Sequence, residues 1–135
     1  MRLMGVDFGG ARIGLATMES VYAVGRTLPY LAASGTLAKD AVAIDALAKA
    51  EESDAIVIGV PLNEGEETKM SRICRMLGAE LVQLGWTVHY CDESLTSVGA
   101  EAELIAAGLK ASQIKRTVDS EAALRILGRF VAEGA

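Results

Sequence analysis

Four acidic residues stand where hydrophobic segments end. Asp7 closes the apolar run RLMGVDF, Asp92 and Glu93 follow WTVHY, and Asp119 opens the last apolar stretch after a basic segment. A carboxylate beside a hydrophobic element is usually paired or bound to metal. Three carboxylates meeting at one sheet edge would offer hard oxygen ligands, suited to Mg²⁺ or Mn²⁺ and not to zinc. Each acid also has a plainer use. Asp7 suits a turn, Asp119 or Ser120 suits a helix N-cap, and Asp92 or Glu93 suits the N-terminus of a following helix. Spacing alone leaves both readings open. Gly9, Gly10, Arg12 and Gly14 follow Asp7, and glycines there leave room for a phosphate to approach. The lone His89 lies in an apolar run and reads as a structural strand residue. Cys74 and Cys91 form no CxxC or zinc spacing and read as free, buried thiols.

The elements that must position these residues follow from periodicity. RLMGVDF, RIGLATM and VYAVGRTL read as three strands joined by short turns. TLAKDAVAIDALAKA is helical, with Leu37, Ala41, Ile44 and Ala48 in phase. AIVIGV is a continuous apolar run, the mark of a strand buried on both faces. Met70, Ile73, Leu77, Leu81 and Leu84 then mark one stripe of a helix, with Gly85 at its C-terminal cap. WTVHY is the fifth strand. SLTSVGAEAELIAAG is a helix ended by Gly108. LKASQIKRTV shows no clear period and reads as a basic loop carrying Lys110, Lys115 and Arg116. A last helix begins near Asp119 and Ser120, with Ala123, Ile126, Leu127 and Phe130 as its apolar face. The order is βββ-α-β-α-β-α-α, without repeats or linkers. It predicts an α/β fold, a five-stranded mixed sheet flanked by helices on both faces, with right-handed crossovers between parallel strands. Ligands in such sheets bind beyond the carboxyl ends of the strands, where the acids fall.

The chain has 135 residues, 51% of them hydrophobic, which fits one domain over residues 1–135 with a sizeable core. No run of about 18 apolar residues predicts a membrane span, and no secretory leader is evident, so the expected compartment is the cytoplasm. The net charge is −5 and the pI about 4.9. Strong nucleic-acid binders are usually basic, so any such contact must be local or helped by bound cations.

GVDFGGARIGLA, IVIGVPLNEG, YCDESLTSVGAE and VDSEAALRIL, in that order along nearly the whole chain, resemble the YqgF/RuvX family. Its members are described as Holliday-junction-resolvase-like or as nucleases of pre-16S rRNA. The resemblance implies a ribonuclease H-like fold, in agreement with the order derived above. It implies that Asp7, Glu93 and Asp119 are catalytic acids that bind two Mg²⁺ or Mn²⁺ ions around a scissile phosphate. It also makes Gly9, Gly10, Arg12, Asn63, Thr96, Lys110, Lys115 and Arg116 candidate substrate contacts. The implied partner is RNA, as pre-16S rRNA or the pre-ribosome, or branched DNA, for a monomer or a homodimer. Resolving a junction takes two symmetric active sites; trimming single-stranded RNA takes one, and the latter is the expectation here.

Three positions depart from the family pattern. Ser94 stands where an arginine usually follows the motif's glutamate. EGEET replaces a stretch like MDGT and adds Glu64, Glu66 and Glu67. Ala11 replaces a basic residue before Arg12. Each change removes positive or adds negative charge. Two rivals remain. DFGG with Arg12 also resembles the first phosphate loop of sugar kinases and actin-like ATPases, which close two domains on a nucleotide. A non-catalytic ribosome-assembly or transcription-associated binding protein would keep the acids for stability, and would tolerate Asp7→Asn.

Overall fold

The computed structural model describes residues 1–93 and 111–134, with side chains for 1–93 and 120–134. Five strands, β1 (Arg2–Phe8), β2 (Arg12–Glu19), β3 (Val24–Ala32), β4 (Ala55–Val60) and β5 (Val88–Asp92), form one sheet in the order β3-β2-β1-β4-β5. β1, β2 and β3 are an antiparallel meander, and β4 and β5 add in parallel to β1. The expected mixed sheet is present. β3 begins later and runs longer than expected, because Ala23 takes a left-handed conformation (φ 51°) and turns the chain before Val24. It also carries Pro29. Between Ile13 and Leu15 of β2, β3 passes from Leu31 to Leu28, one residue more. A bulge on an edge strand is where a proline costs no ladder bond. β5 likewise starts two residues late, at Val88.

Side-chain alternation sorts the sheet into two cores. Met4, Val6 and Phe8 of β1 and Ile56, Ile58 and Val60 of β4 face α1 (Leu37–Ala50) and α2 (Lys69–Gln83). Leu3, Ala16, Met18, Ala55 and Val57 face α3 (Ala111–Ala132). β4 is buried at every position, as its unbroken apolar run requires. α2 starts at a capping box, in which the Thr68 hydroxyl accepts from the Ser71 N–H and Ser71 Oγ accepts from the Thr68 N–H. It stops before Gly85, whose φ is 100°, the expected C-terminal cap.

The last helix departs from expectation. It begins at Ala111, so residues 111–118 are helical where a loop was expected. That stretch lacks a clear apolar period, but it also lacks glycine and proline, and Ala111, Gln113, Lys115 and Arg116 are strong helix formers. Ser120 is therefore no N-cap. It is buried inside the helix, and its hydroxyl donates to the Leu28 carbonyl of β3 at 2.6 Å. The helix expected over SLTSVGAEAELIAAG lies outside the described residues.

Two glycines let α3 press on the sheet. A Cβ at Gly5 would stand 2.6 Å from the Ala123 carbonyl oxygen and 2.7 Å from Leu127 Cγ, and one at Gly25 would stand 2.8 Å from Leu124 Cδ1. Ser120 meets β3 at Leu28 and Leu124 meets it at Gly25, so α3 runs against the direction of β3 and of β1. Going back from Ala123, over Gly5, position 119 lies one turn nearer the carboxyl end of β1, where Asp7 sits.

Candidate active site

Asp7 occurs in β1 opposite Gly14 of β2. Strand alternation puts it on the α3 face, together with Gly5. Glu93 follows β5 directly, and its N–H donates to the Val60 carbonyl at 3.1 Å. That bond fixes the residue beyond the carboxyl end of β4. Its side chain turns over Gly59: a Cβ there would stand 2.9 Å from Glu93 Oε2 and 2.3 Å from Ile126 Cδ1. A glycine in an otherwise branched, buried strand is what makes room for the carboxyl group.

The Asp7 and Glu93 carboxyl groups lie within hydrogen-bond reach of each other. Burial raises the Glu93 pKa well above the ordinary carboxylate range. The bond to Asp7 and the charges of Asp7 and Asp92 raise it further. Two half-buried carboxyl groups held this close suit a divalent cation, which would offset the repulsion between their charges. The donor set is all oxygen, as Mg²⁺ and Mn²⁺ prefer. Among the described residues no three His, Cys, Asp or Glu side chains form a metal-binding group, so a third ligand must come from elsewhere. Cys74, on the buried side of α2, lies close enough to feel both carboxyl groups. Burial first, then Glu93 and Asp7, push its thiol up to about 12. It stays protonated and is no thiolate ligand.

Arg12 opens β2 on the same face as Asp7, at the same end of the sheet. Its guanidinium lies 5.5 Å from the centre of the Tyr30 ring, which the β3 bulge brings beneath it. Gly9 serves the β1–β2 turn: its N–H donates to the Arg12 carbonyl at 2.9 Å, and a Cβ would stand 2.8 Å from that oxygen. Gly10 is exposed, with nothing within 4 Å of a Cβ. The turn explains Gly9, while no contact among the described residues explains Gly10. Asn63 begins a two-residue hairpin that pairs it with Glu66, and Glu64 and Gly65 at the tip have φ of 50° and 82°, a type I′ turn. Asp119, Lys115 and Arg116 lie on α3 with their side chains outside the described residues, and Thr96 and Lys110 lie outside entirely. The structure thus brings together Asp7 and Glu93, with Arg12 on the same face. Gly59 was missed; the interrupted run AIVIGV was its only signal. His89 packs on Phe130, ring centres 5.1 Å apart, and both cysteines are free and buried.

The sequence profile of the RuvX family, described as Holliday junction resolvase, matches residues 1–133. The chain belongs to this family. A RuvX-family relative from Anaeromyxobacter dehalogenans is 39% identical over 94% of this chain and 93% of its own length, and bears the name "Putative pre-16S rRNA nuclease". One of the same name from Maridesulfovibrio salexigens is 36% identical over 98% of both chains. The T. thermophilus RuvC structure in complex with a Holliday junction substrate superposes with a TM-score of 0.59 over 98% of this chain and 94% of that one, at 12% identity. That likeness fixes the ribonuclease H-like fold of this RuvX-family chain. No helix among the described residues is long and apolar enough to cross a membrane.

Proposed function

We propose that the chain is a divalent-metal-dependent nuclease that hydrolyses phosphodiester bonds in single-stranded RNA, acting at the 5′ end of pre-16S rRNA in the cytoplasm. The closely placed Asp7 and Glu93 carboxyl groups, at the carboxyl edge of the sheet in a chain of this family, carry the reading. Asp7 and Glu93 would hold the cation, with Asp119 as third acid. The course of α3 toward the carboxyl end of β1 supports Asp119 in that role. When bound, such cations, two in this reading, activate water and stabilise charge on the phosphate and the leaving oxygen. The chain's own part is to bind and orient. Glu93 gives up its proton to become a ligand. Arg12, steadied by Tyr30, reaches a non-bridging phosphate oxygen, and Gly10 leaves the approach open. Lys110, Lys115 and Arg116 add local positive charge to an acidic protein, and Asn63 and Thr96 flank the strand.

A short single-stranded RNA, Mn²⁺ or Mg²⁺, and purified protein test this directly. Wild type should shorten the RNA, and EDTA or Asp7→Asn should abolish cleavage, with a loss of at least about 10²-fold. Equal cleavage by wild type and Asp7→Asn would place the chemistry elsewhere. A four-way DNA junction beside the RNA separates resolution, to which the family description points, from trimming. A folded protein inactive on both would favour the non-catalytic binding protein.

A further inference from the structure

The strand end that carries Asp7 also opens on the other face of the sheet. A cavity of about 280 Å³ lies there, between β1 and the opening turns of α1 and α2. Phe8, Leu37, Met70 and Ile73 give it apolar walls, and Asp40 lines it as well. Gly10 and Gly35 border it, and a Cβ at either would meet nothing among the described residues within 4 Å. The rim is therefore open. The volume lies just under the range of about 300–1,000 Å³ typical of small-molecule pockets, which fits one flat ring better than an extended ligand.

Asp40 is the unusual member of this lining. It is only 3% exposed, and a carboxylate among apolar neighbours needs partners. Its Oδ1 accepts from the Ser34 N–H at 2.9 Å, which ties down the loop before α1. Its Oδ2 receives no hydrogen bond and makes no ion pair among the described residues, yet it is not sealed from solvent. The tether to Ser34 accounts for one oxygen and leaves the other as an acceptor. A carboxylate only accepts, and among the described residues no lysine or arginine lines the cavity, so a phosphate is repelled. The occupant that fits is a neutral flat ring with an N–H: an apolar face for Phe8 and Met70, and a donor for Asp40.

Phe8 follows Asp7, so alternation sends their side chains to opposite faces, Asp7 with α3 and Phe8 with α1 and α2. Cavity and acid pair stand back to back at one strand end, with the β1–β2 turn and its exposed Gly10 between them. A single strand with a phosphate at Asp7 can cross that turn and drop a neighbouring base into the cavity. Splayed-out bases, packed on side chains and read by hydrogen bonds along their edges, are how proteins recognise single-stranded RNA.

We infer that this cavity is a base-binding pocket for the strand being cut, and that Asp40 selects a base presenting an amino group. This rests on the reading of the protein as a nuclease. Cytosine offers its N4 amino group to a carboxylate, whereas uracil turns an oxygen to the same place, so that two acceptors would face each other. Asp40 is a specificity residue and touches no reacting atom.

Short oligo(C) and oligo(U), alike in length and charge, isolate that exchange. Fluorescence anisotropy with Ca²⁺ reads their binding, and initial rates with Mn²⁺ read their cleavage. Wild type should bind oligo(C) about five- to tenfold more tightly than oligo(U), the effect of one donor met and not opposed, and KM should follow. An amide both donates and accepts, so Asp40→Asn should bind oligo(C) more weakly and oligo(U) more tightly, bringing the ratio within about twofold. Ala33→Leu fills the cavity from its half-buried side without altering Asp40. It should lower the affinity for oligo(C) to that for oligo(U), and it serves if Asp40→Asn does not fold. In both variants kcat should stay near that of wild type. A purely structural Asp40 predicts lower thermal stability with the C-to-U ratio unchanged. That result, or equal affinity of wild type for the two RNAs, in an enzyme that still cleaves RNA, overturns the base pocket alone; an amine-bearing side chain of a protein partner would then be the fitting occupant. A folded wild type that neither binds nor cleaves either RNA overturns the pocket together with the nuclease reading.

Discussion

Glu93 is held in a form that disfavours its own ionisation. Burial raises its pKa first, then the bond to Asp7 and the nearby charges. The linkage has a definite sign. Between the unfolded value, near 4.5, and the raised folded value, the native state keeps a proton that the unfolded chain releases. Stability of the metal-free protein therefore falls as pH rises through that window. Glu93→Gln keeps the shape and removes the charge. It should flatten this slope and stabilise the metal-free protein at pH 8 by about 1–3 kcal/mol, equal to one or two pKa units of relieved strain. Thermal unfolding at pH 5 and pH 8, in EDTA, measures it. Mn²⁺ should reverse the order. At about a hundredfold excess over Kd it should raise wild type by about 2.7 kcal/mol at pH 8 and leave Glu93→Gln unmoved. A wild type insensitive to Mn²⁺ would mean that the pair does not hold the cation. Much of this residue-scale picture could be read in advance. Asp7 and Glu93 stood at the ends of apolar runs, and a buried strand cannot end in an acid without a partner. That the partner is another acid belongs to the chain's tertiary path, which no local pattern encodes.

The elements were legible where one physical rule acted alone. β4 is continuous and apolar, and α2 has a clean stripe and Gly85 at its end. They failed where rules competed. Residues 111–118 lack an apolar period, yet they have good helix propensity and nothing to break a helix, so α3 starts early. β3 looked as if it should end before Pro29, but an edge strand with a bulge tolerates proline. α3 gives the sharpest test at this scale, because two glycines bearing on it have opposite uses. Gly5 lies beneath it, where a methyl group would meet the backbone carbonyl of Ala123 at 2.6 Å. A carbonyl cannot rotate away as a side chain can, so Gly5→Ala must push the helix outward. A loss of about 1–3 kcal/mol follows. Gly128 lies within the helix with nothing among the described residues within 4 Å of a Cβ. There Ala should gain about 0.5–1 kcal/mol, by helix propensity and by restricting the unfolded chain. Urea unfolding of both variants decides it, and a neutral Gly5→Ala would mean that the helix is not seated on β1.

The whole molecule carries a net charge of −5, yet the proposed substrate is a polyanion. The arrangement of charge resolves the conflict better than the total does. Of the acids that seemed to spoil the substrate surface, Glu67 is engaged by Arg75 and Ser71, and burial beside Asp7 holds back the ionisation of Glu93. Arg12 lies at the carboxyl end of the sheet, on the same face as the acid pair. Composition alone showed only the excess of acid; pairing appears when the loop after β4 folds back on α2. Such a surface contacts few phosphates. Taking one to three, log K for single-stranded RNA should fall with log salt at a slope of about −0.7 to −2. That is far shallower than for a basic nucleic-acid binder. Divalent cation should act in the opposite sense to monovalent salt. If the acid pair holds the cation as proposed, Ca²⁺ would cancel its repulsion, so millimolar Ca²⁺ should tighten binding while added KCl loosens it. Asp7→Asn, with one repulsive charge already gone, should bind RNA in EDTA more tightly than wild type and respond less to Ca²⁺. Anisotropy titrations of the two proteins with and without Ca²⁺ test this. If Ca²⁺ weakens both equally, it acts only as salt, and the acid pair lies away from the bound strand.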